Sequence, residues 1–522
     1  MKLSRKGFGP YDIRGIYPEE VNEDLAYGIG RVLPGLFQMK RVAVGHDIRL
    51  SGPSLQEALV KGLLDAGCDV LDIGQCGTEM IYFTTVHREL DGGVMVTASH
   101  NPKEYNGMKF VRAGARPISG DTGLRKMEAA VLAGDFPASA EKGRVERADV
   151  TEEYVDHILS YVDVKKLKPF KIVANTGNGA AGPILNAMER RLPFELVKVC
   201  NEPDGNFPNG VPNPLRQENR ALTIRAVQEA KADAGVAWDG DFDRCFLFDE
   251  KGGFIEGYYM VGFLAEAFLR KEKGGTVIHD PRLTWNTIEI AEELGGKAVV
   301  CKSGHAFIKE KMRALDAVYG GELSSHHYFR DFSYCDSGMI PWLLMMELLS
   351  AEEGATLSQL MKDRQERFPA SGELNSVVAD PRKVLAKVEA LYGPKGKLSK
   401  IDGARVCKLI GQSKGGQKQK EQIGTLTDFR EGKYNVIVST SVGEEGLDIT
   451  STDAVIFYEP VPSEIRTIQR RGRTGRRNDG EVYVLIAKGT LDEITENSSK
   501  RKERQMRDGL ETLSARLKKR RP

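Results

Sequence analysis

The sequence predicts an α/β fold made of three consecutive mixed α/β sheet domains around a central cleft. Up to about residue 340, short runs of β-branched residues alternate with amphipathic stretches of helical length. This alternation is typical of βαβ units and of mainly parallel sheets. Polar loops of unusual composition follow several of the predicted strands, and ligands of such sheets bind at the carboxyl ends of strands.

The predicted elements follow one another at short intervals. The first series consists of a strand, a helix and two strands: Arg41–Gly45, Ser54–Ala66, Val70–Gly74 and Gly93–Thr97. Four more predicted strands come later in the chain: Lys171–Asn175, Ala234–Trp238, Gly275–His279 and Lys297–Cys301. We place the three domains at residues 1–150, 151–255 and 256–368.

Composition supports several domains and argues against a membrane protein. The chain has 522 residues, of which 29% are charged and 40% are hydrophobic. No stretch approaches the roughly 18 uninterrupted apolar residues of a membrane span, and no apolar run follows the basic start of the chain. The 7 cysteines contain no C-x-x-C pair, so we expect reduced thiols and a cytoplasmic protein without membrane association.

The net charge of +1 hides an asymmetry between two parts of the chain. Residues 1–406 carry 52 basic and 57 acidic side chains, whereas residues 407–522 carry 23 basic and 17 acidic ones. The first part therefore suits a small charged metabolite bound locally, and the second suits a polyanion. The second part ends in a basic run, Lys500–Pro522, and such a run is more often only a solvated surface.

An acidic loop follows the predicted strand Ala234–Trp238. Its sequence, Asp239-Gly-Asp-Phe-Asp-Arg244, places carboxylates at i, i+2 and i+4, and in an extended strand end or a tight loop this spacing puts them on one side. A hard divalent cation prefers such oxygen ligands. A polar turn is the alternative. A calcium loop beginning at Asp239 is excluded because Arg244 occupies the position that requires glycine and Cys245–Phe248 reads as a strand.

A second polar loop follows the strand Gly93–Thr97. Thr97-Ala-Ser-His-Asn-Pro102 has small residues and a proline, which allow the Ser99 hydroxyl to project into a cleft. Ser99 would carry phosphate or act as a nucleophile only beside a metal or a base; otherwise it is a capping or turn serine. Lys109 lies in a predicted strand that enters the same region.

Several motifs in order resemble the α-D-phosphohexomutase family over residues 1–406. These motifs are Thr97-Ala-Ser-His-Asn-Pro102 with Tyr105-Asn-Gly-Met-Lys109, Asp239-Gly-Asp-Phe-Asp-Arg244, Lys302-Ser-Gly-His305 and Gly321-Glu-Leu-Ser-Ser-His-His-Tyr-Phe329. Tyr11-Asp-Ile-Arg-Gly15 and Asn175-Thr-Gly-Asn-Gly-Ala-Ala-Gly182 also fit the openings of family domains. The family converts hexose 6-phosphates and hexose 1-phosphates, which makes a hexose phosphate, with mannose ahead of glucose, the expected substrate.

The resemblance implies a role for each matching residue. Ser99 would bear the phosphate and complete a Mg²⁺ site with Asp239, Asp241 and Asp243. His100 and Lys109 would be candidates for proton transfer, and Arg14 and Arg244 would bind the phosphoserine or position it. Glu322, Ser324 and His326 would hold the sugar hydroxyls, and Lys302 and His305 would line the cleft. A hexose 1,6-bisphosphate would serve as activator.

The resemblance ends within the fourth mutase domain. Residues 369–406 are similar to the start of that domain, but the Arg-x-Ser-(Gly/Asn)-Thr-Glu-Pro loop that grips the substrate's remote phosphate is missing downstream. Binding energy from a remote group normally supports turnover as well as affinity. We therefore expect a truncated fourth mutase domain and an impaired or inactive mutase.

Beyond residue 406 the chain resembles a different family. Val438-Ser-Thr-Ser-Val-Gly-Glu-Glu-Gly-Leu-Asp448 and Gln469-Arg-Arg-Gly-Arg-Thr-Gly-Arg476 resemble motifs V and VI of superfamily 2 helicases, most like the archaeal Fanconi-M-like helicases, over residues 411–488. The resemblance implies a partial RecA-like helicase lobe at residues 407–490 and a basic tail at 491–522. Its implied nucleotide or coupling residues are Gly446, Asp448, Gln469, Arg473 and Arg476.

An arginine finger acts on a phosphate that another lobe presents. The chain contains neither a Gly-x-x-x-x-Gly-Lys-Ser/Thr loop nor an Asp-Glu-x-His box. We expect no autonomous ATP hydrolysis, and only weak, salt-sensitive nucleic-acid binding through Arg466–Arg477 and the tail.

Three readings of the whole chain follow. The first is a Mg²⁺-dependent phosphohexomutase with a compromised fourth domain, and the second is a nucleic-acid-binding or helicase-accessory protein on a mutase scaffold. The third is a recombined, misassembled or engineered reading frame, because the junction near residues 406–411 cuts a domain on both sides. Sequencing of the source DNA across the codons for Arg405–Gln412 separates the third reading from the others.

Overall fold

The computed structural model describes residues 4–370 except 10, 135, 137 and 138, and four short strands beyond them. Two compact units divide the chain, residues 1–372 and 373–522. The first unit contains three sheets, each with helices packed against it. The predicted series of three mixed α/β domains is therefore confirmed in this unit.

The first sheet has seven strands in the order β1-β5-β4-β2-β3-β7, with β6 paired to β5. Its strands are β1 (Ile13–Ile16), β2 (Arg41–His46), β3 (Asp69–Gln75), β4 (Gly92–Val96), β5 (Tyr105–Arg112), β6 (Arg116–Pro117) and β7 (Val145–Arg147). Its helices are α1 (Glu23–Phe37), α2 (Gly52–Asp65), α3 (Thr78–His87) and α4 (Arg125–Ala133). Strands β4, β2, β3 and β7 are parallel, whereas β5 runs antiparallel to β4.

The second sheet has the order β11-β10-β8-β9. Its elements are α5 (Thr151–Leu159), β8 (Lys171–Asn175), α6 (Ala181–Glu189), β9 (Glu195–Val199), α7 (Ala221–Ala230), β10 (Ala234–Trp238) and β11 (Cys245–Phe248). Every residue of β10 and β11 is buried. Continuous apolar runs of this kind are typical of strands covered on both faces.

The third sheet has the order β13-β12-β14-β15-β16. Its elements are α8 (Gly257–Lys271), β12 (Thr276–His279), α9 (Thr284–Glu293), β13 (Lys297–Val300), α10 (His305–Leu315), β14 (Tyr319–Gly321), β15 (His327–Phe329), β16 (Cys335–Asp336), α11 (Met339–Ala351) and α12 (Leu357–Arg367). A capping box, in which Thr356 and Gln359 bond each other's backbone amides, starts α12.

The three sheets share a continuous apolar core. One buried cluster contains Ala43 of β2, Trp238 of β10 and Val277 of β12. The indole of Trp238 donates a hydrogen bond to the carbonyl of Gly338 at 2.9 Å, and the Trp238 and Trp342 rings meet edge to face. Side chains from all three sheets therefore fix the loops at the strand ends relative to one another.

The second unit contributes two parallel strand pairs. These are β17 (Val406–Leu409) with β18 (Val436–Ser439), and β19 (Ala454–Phe457) with β20 (Glu481–Val484). The apolar runs Asn435–Ser439 and Ala454–Phe457 predict buried strands, and β18 and β19 lie within these runs. The predicted truncated fourth domain and partial helicase lobe lie otherwise outside the described residues.

In the part of the chain that the structure describes, no helix combines the length and the apolar character needed to cross a bilayer.

Candidate active site

The serine loop, Thr97–Pro102, begins where β4 ends, at the carboxyl edge of the first sheet. Ser99 is buried and has a φ of 50°, a left-handed conformation that is uncommon for a residue with a side chain. Its backbone N–H donates to Thr97 Oγ1 at 2.8 Å. The local fold therefore holds the Ser99 hydroxyl in one direction at the expense of backbone strain.

Arg49, which the sequence did not single out, holds this loop in place. It follows β2, the neighbour of β4, and its side chain is only 1% exposed. Its guanidinium donates to four backbone carbonyls: those of Ser99 at 2.8 Å, Asn101 at 2.7 Å, Pro102 at 2.8 Å and Tyr105 at 2.8 Å. Asp47 supplies the counter-charge, with its Oδ2 3.3 Å from Arg49 Nε.

The acidic loop follows β10 and lies against the serine loop. Asp239, Asp241 and Asp243 are buried, and one oxygen from each lies within 4.8 Å of the others. The Ser99 hydroxyl donates to Asp239 Oδ2 at 3.2 Å. A Cβ at Gly240 would lie 2.9 Å from the Ser99 carbonyl oxygen, so glycine allows the two loops to approach.

Two cations, Lys109 and Arg244, offset part of the negative charge of the acidic loop. Lys109 Nζ lies 2.7 Å from Asp241 Oδ2 and 2.6 Å from Asp243 Oδ2. The Arg244 guanidinium contacts Asp239 Oδ2 through Nε at 2.8 Å and through its terminal nitrogen at 2.7 Å. Burial acts to lower the pKa of Lys109, but the two carboxylates outweigh it and raise the pKa above its ordinary value. Lys109 is therefore a cation in this geometry.

The acidic loop fits a divalent cation. Oδ1 of Asp241 and Oδ1 of Asp243 are buried and have no hydrogen-bond partner among the described residues. Burial raises the pKa of Asp239 to about 6, although Arg244 opposes this shift. Buried carboxylate oxygens without donors are a costly arrangement that a hard cation such as Mg²⁺ relieves.

His100 lies between the serine and Arg244. Its Nδ1 is 3.1 Å from Ser99 Oγ and also contacts a terminal nitrogen of Arg244. Burial, with the added effect of the Arg244 and Arg14 cations, lowers the pKa of His100 to about 2, so its imidazole is neutral. Arg14 supports the same loop, because its terminal nitrogen donates to Asn101 Oδ1 at 2.7 Å.

The predicted sugar-binding loop, here called the sugar loop, consists of residues 322–326 between β14 and β15. Glu322 accepts hydrogen bonds from the hydroxyls of Ser324 at 3.2 Å and Tyr328 at 2.6 Å. His326, Asp336 and Asp243 have ligand atoms within 4.8 Å of one another, so this loop meets the acidic loop. Glu322, Ser324 and His326 thus lie on one loop that approaches the acidic loop.

Lys302 and His305 lie on the loop after β13 and at the start of α10. The His305 ring packs edge to face against Tyr11 of the first domain, with ring centroids 5.6 Å apart. Burial, with Lys309 as the next contributor, lowers the pKa of His305 to about 3. Lys302 is exposed, and its Nζ lies 4.3 Å from the centre of the Phe307 ring.

The structure thus brings the serine loop, with Ser99 and His100, and the acidic loop into contact with Arg14 of β1 and Lys109 of β5, whereas Lys302 precedes and His305 begins the third-domain helix α10. The helicase-like residues Gly446, Asp448, Gln469, Arg473 and Arg476 lie outside the described residues. Thr78 is a further residue that the sequence did not single out. Its hydroxyl donates to Asp241 Oδ2 at 2.5 Å, from the first turn of α3. No local pattern marks this contact, because the two residues are far apart in the sequence.

Family comparisons agree with this assembly of loops. Three consecutive segments match α/β/α domains I, II and III of phosphoglucomutase/phosphomannomutase, at residues 5–138, 152–253 and 256–368. The fold and these matches define a phosphohexomutase, an enzyme class that acts on hexose phosphates and uses Mg²⁺ and a bisphosphate activator. A further segment, residues 383–478, matches the helicase conserved C-terminal domain.

Individual relatives lead to the same class. A phosphomannomutase of Salmonella montevideo is 56% identical over 404 residues, which cover 76% of this chain and 88% of the relative. A phosphomannomutase of Escherichia coli K12 is 58% identical over 389 residues, 73% of this chain and 85% of the relative. The chain belongs to the phosphoglucomutase/phosphomannomutase family.

A solved structure shows the same fold. The crystal structure of a phosphoglucomutase/phosphomannomutase family protein from Burkholderia thailandensis has a TM-score of 0.65 and 32% identity to this chain. The match covers 77% of this chain and 86% of that protein.

Proposed function

We propose that this chain interconverts hexose 6-phosphate and hexose 1-phosphate through a phosphoserine at Ser99 and a hexose bisphosphate intermediate. The observation that carries the proposal is the 3.2 Å contact between Ser99 Oγ of the first domain and Asp239 Oδ2 of the second. A buried serine is a phosphate carrier only beside a charged site of this kind. Mannose is the preferred sugar, in keeping with the phosphomannomutases of Salmonella and E. coli that resemble the chain.

The reaction consists of two phosphoryl transfers. In the first, a hydroxyl of the hexose monophosphate bonds to phosphorus as the bond between phosphorus and Ser99 Oγ breaks, and the hydroxyl proton ends on Ser99 Oγ. The resulting bisphosphate turns over, its other phosphoryl group passes to Ser99 Oγ as the bond to the sugar oxygen breaks, and the serine proton ends on that sugar oxygen. Transfer of this kind depends mainly on positioning and on charge neutralisation.

The acidic loop would hold Mg²⁺ through Asp239, Asp241 and Asp243, together with an oxygen of the Ser99 phosphate. The bound ion would neutralise charge on the transferring group. Lys109 is ion-paired with Asp241 and Arg244 with Asp239, so both contribute positive charge to this loop. Since Lys109 is held as a cation, its role in this geometry is electrostatic, and as an ammonium it can donate a proton.

Two more residues lie near the phosphate that Ser99 would carry: His100, whose imidazole is neutral, and the cation Arg14. His100 Nδ1 lies 3.1 Å from Ser99 Oγ, within reach of a proton on that oxygen. Arg14 supports the serine loop through Asn101 and is placed to bind the phosphoserine. On the sugar side, Glu322, Ser324 and His326 would hold hydroxyls, and Lys302 with His305 would line the entrance.

The fourth domain sets the level of activity that we propose. Residues 369–406 would be the start of that domain, and the sequence after them lacks the loop that binds the remote phosphate. The substrate would then be held by the first three domains alone. Because remote binding energy supports turnover, we propose an impaired enzyme.

The test uses purified full-length protein with Mg²⁺ and glucose 1,6-bisphosphate. We expect slow interconversion of mannose 1-phosphate and mannose 6-phosphate, slower conversion of the glucose pair, and loss of both in Ser99→Ala. A matched control is Ser119→Ala, in another buried serine of the first domain. Conversion that persists unchanged in Ser99→Ala would refute the phosphoserine role.

A second candidate function rests on the match of residues 383–478 to the helicase C-terminal domain. We propose that residues 407–490, a partial lobe most like the archaeal Fanconi-M-like helicases, bind nucleic acid weakly with the basic tail at 491–522. Binding of single-stranded or branched DNA should weaken as salt rises and should be reduced in Arg473→Ala/Arg476→Ala. Absence of any salt-dependent binding would exclude this function.

A further inference from the structure

A chain of three side chains runs behind the sugar loop. Lys309 Nζ lies 2.6 Å from Asp336 Oδ1, and Asp336 Oδ2 lies 2.9 Å from Nδ1 of His326. The Lys309 side chain is 0% exposed and that of Asp336 is 3% exposed, whereas His326 is 22% exposed. The charged pair is therefore closed off from solvent, and the imidazole at its end is open to it.

The strands of the third sheet fix this geometry. Asp336 lies on β16, which pairs antiparallel with β15, and His326 immediately precedes β15. The backbone N–H of Glu322 donates to the His326 carbonyl at 2.9 Å, and this hydrogen bond joins the two ends of the sugar loop. The loop backbone and Asp336 thus hold His326 from two sides.

Lys309 holds Asp336 in turn. Besides the ion pair, its ammonium lies 4.2 Å from the centre of the Tyr82 ring in α3 and 5.8 Å from that of Tyr328 in β15. A buried lysine with one carboxylate and two aromatic faces around it has little freedom to turn away. Asp336 therefore has an ion-pair partner at Oδ1 and a hydrogen-bond partner at Oδ2.

We infer that Asp336, held by Lys309, is a positioning residue that fixes the ring of His326 by accepting its Nδ1–H, leaving Nε2 as the nitrogen presented to the hexose phosphate. The inference rests on the proposed role of His326 in sugar binding. A carboxylate on one ring nitrogen sets the tautomer and the orientation of the other.

A second cation site is the competing interpretation, because Asp243, His326 and Asp336 could together ligate a metal. The buried Lys309 ammonium argues against it. It occupies Asp336 Oδ1 and already supplies the positive charge that a metal would bring.

The first measurement is the tautomer of His326, read by nitrogen NMR of the full-length protein labelled with ¹⁵N-histidine, at about pH 9, well above the ordinary histidine pKa. The chain has 8 histidines, and His326→Gln assigns the signal. We expect Nδ1–H and an unprotonated Nε2 in the wild type. In Lys309→Met/Asp336→Ala, which removes both buried charges together and so avoids leaving either unpaired, the Nε2–H tautomer should predominate.

His327 is the internal control, because its Nδ1 contacts Tyr319 Oη at 2.7 Å and does not depend on Asp336. Its signals should be unchanged in the double variant. An unchanged His326 tautomer in a folded double variant would overturn the inference, as would the Nε2–H tautomer in the wild type.

The second measurement is calorimetric binding of mannose 1-phosphate to the wild type, His326→Ala, the double variant and the combined triple variant. Loss of Asp336 should weaken binding about tenfold, and the triple variant should bind no more weakly than His326→Ala. Losses that multiply would overturn the inference, since Asp336 would then act independently of His326. If the His326 tautomer changes in the double variant but His326→Ala binds mannose 1-phosphate as the wild type does, then Asp336 does orient His326. The proposed contact between His326 and the sugar is refuted in that case.

Discussion

The guanidinium of Arg49 donates a 2.8 Å hydrogen bond to the backbone carbonyl of Ser99. The same group reaches three further carbonyls of the serine loop, so one side chain accounts for much of the loop's internal order. Because the loop closes over a left-handed serine, its conformation requires support from outside. Arg49 and the acidic loop both contact the serine loop and provide this support.

Arg49→Lys should therefore disturb the site despite keeping the charge. Lysine has three donors on one nitrogen and cannot reach four carbonyls that a planar fork spans. We expect a loss of about 2–4 kcal/mol in the free energy of unfolding and a lower fraction of phosphorylated Ser99. Denaturant titration and intact-protein mass spectrometry measure the two effects.

Arg41→Lys is the matched control for that substitution. Arg41 pairs with Glu146 at the surface, where its side chain is 46% exposed. An exposed pair of this kind contributes no more than about 1 kcal/mol. Equal effects of the two substitutions would show that Arg49 does not organise the loop.

Gly240→Ala should separate the serine loop from the acidic loop. The added methyl group would lie 2.9 Å from the Ser99 carbonyl oxygen, which is backbone and can move only with its loop. We expect weaker Mg²⁺ binding and at least a tenfold loss of mutase activity, on the order of the cost of a displacement of about 1 Å at a catalytic site. Isothermal calorimetry and a coupled assay test this.

Gly35→Ala controls for the loss of a glycine. Apart from its chain neighbours and the backbone of its own helix α1, no atom of the described residues lies within 4 Å of a Cβ built on Gly35. Alanine there should leave activity unchanged and raise stability by about 0.5–1 kcal/mol through helix propensity. Activity in Gly240→Ala equal to that in Gly35→Ala would contradict the close approach of the two loops.

The stabilisation by Mg²⁺ should grow with pH. The folded-state pKa of Asp239 is about 6, above the ordinary aspartate value of about 4, so without the cation this group costs stability as pH rises through that window. A cation needs the ionised form and therefore competes with the proton below about pH 6. The gain in melting temperature on adding Mg²⁺ should be small at about pH 5 and large at about pH 7.5. A gain that does not vary with pH would refute this account.

The sequence predicted the buried strands well because they are continuous apolar runs. The predicted bounds of Lys171–Asn175, Ala234–Trp238 and Cys245–Phe248 coincide with β8, β10 and β11. It also placed the serine and acidic loops at strand ends, because their composition contrasts with the strands before them. These features depend on local sequence alone.

What the sequence did not show are contacts between distant residues. Arg49, Thr78 and Asp336 each act on a loop that another strand or another domain supplies. Their identities are unremarkable within their own segments, and only the packing of the sheets gives each of them its partner. Lys109 was expected to transfer protons, but its two carboxylate partners, both from the second domain, became evident only from the fold.

Restoring the remote-phosphate loop is the most direct test of the impairment that we propose. In a chimaera, residues 407–522 are replaced by the remaining fourth domain of the E. coli phosphomannomutase, which matches this chain at 58% identity. Because the first three domains already hold the serine, acidic and sugar loops, the graft adds mainly remote binding energy, and kcat/KM for mannose 1-phosphate should rise roughly 100-fold. A control graft with alanine in place of the loop's arginine should lose most of this gain. Equal kcat/KM in the original chain and the chimaera would show that the first three domains suffice.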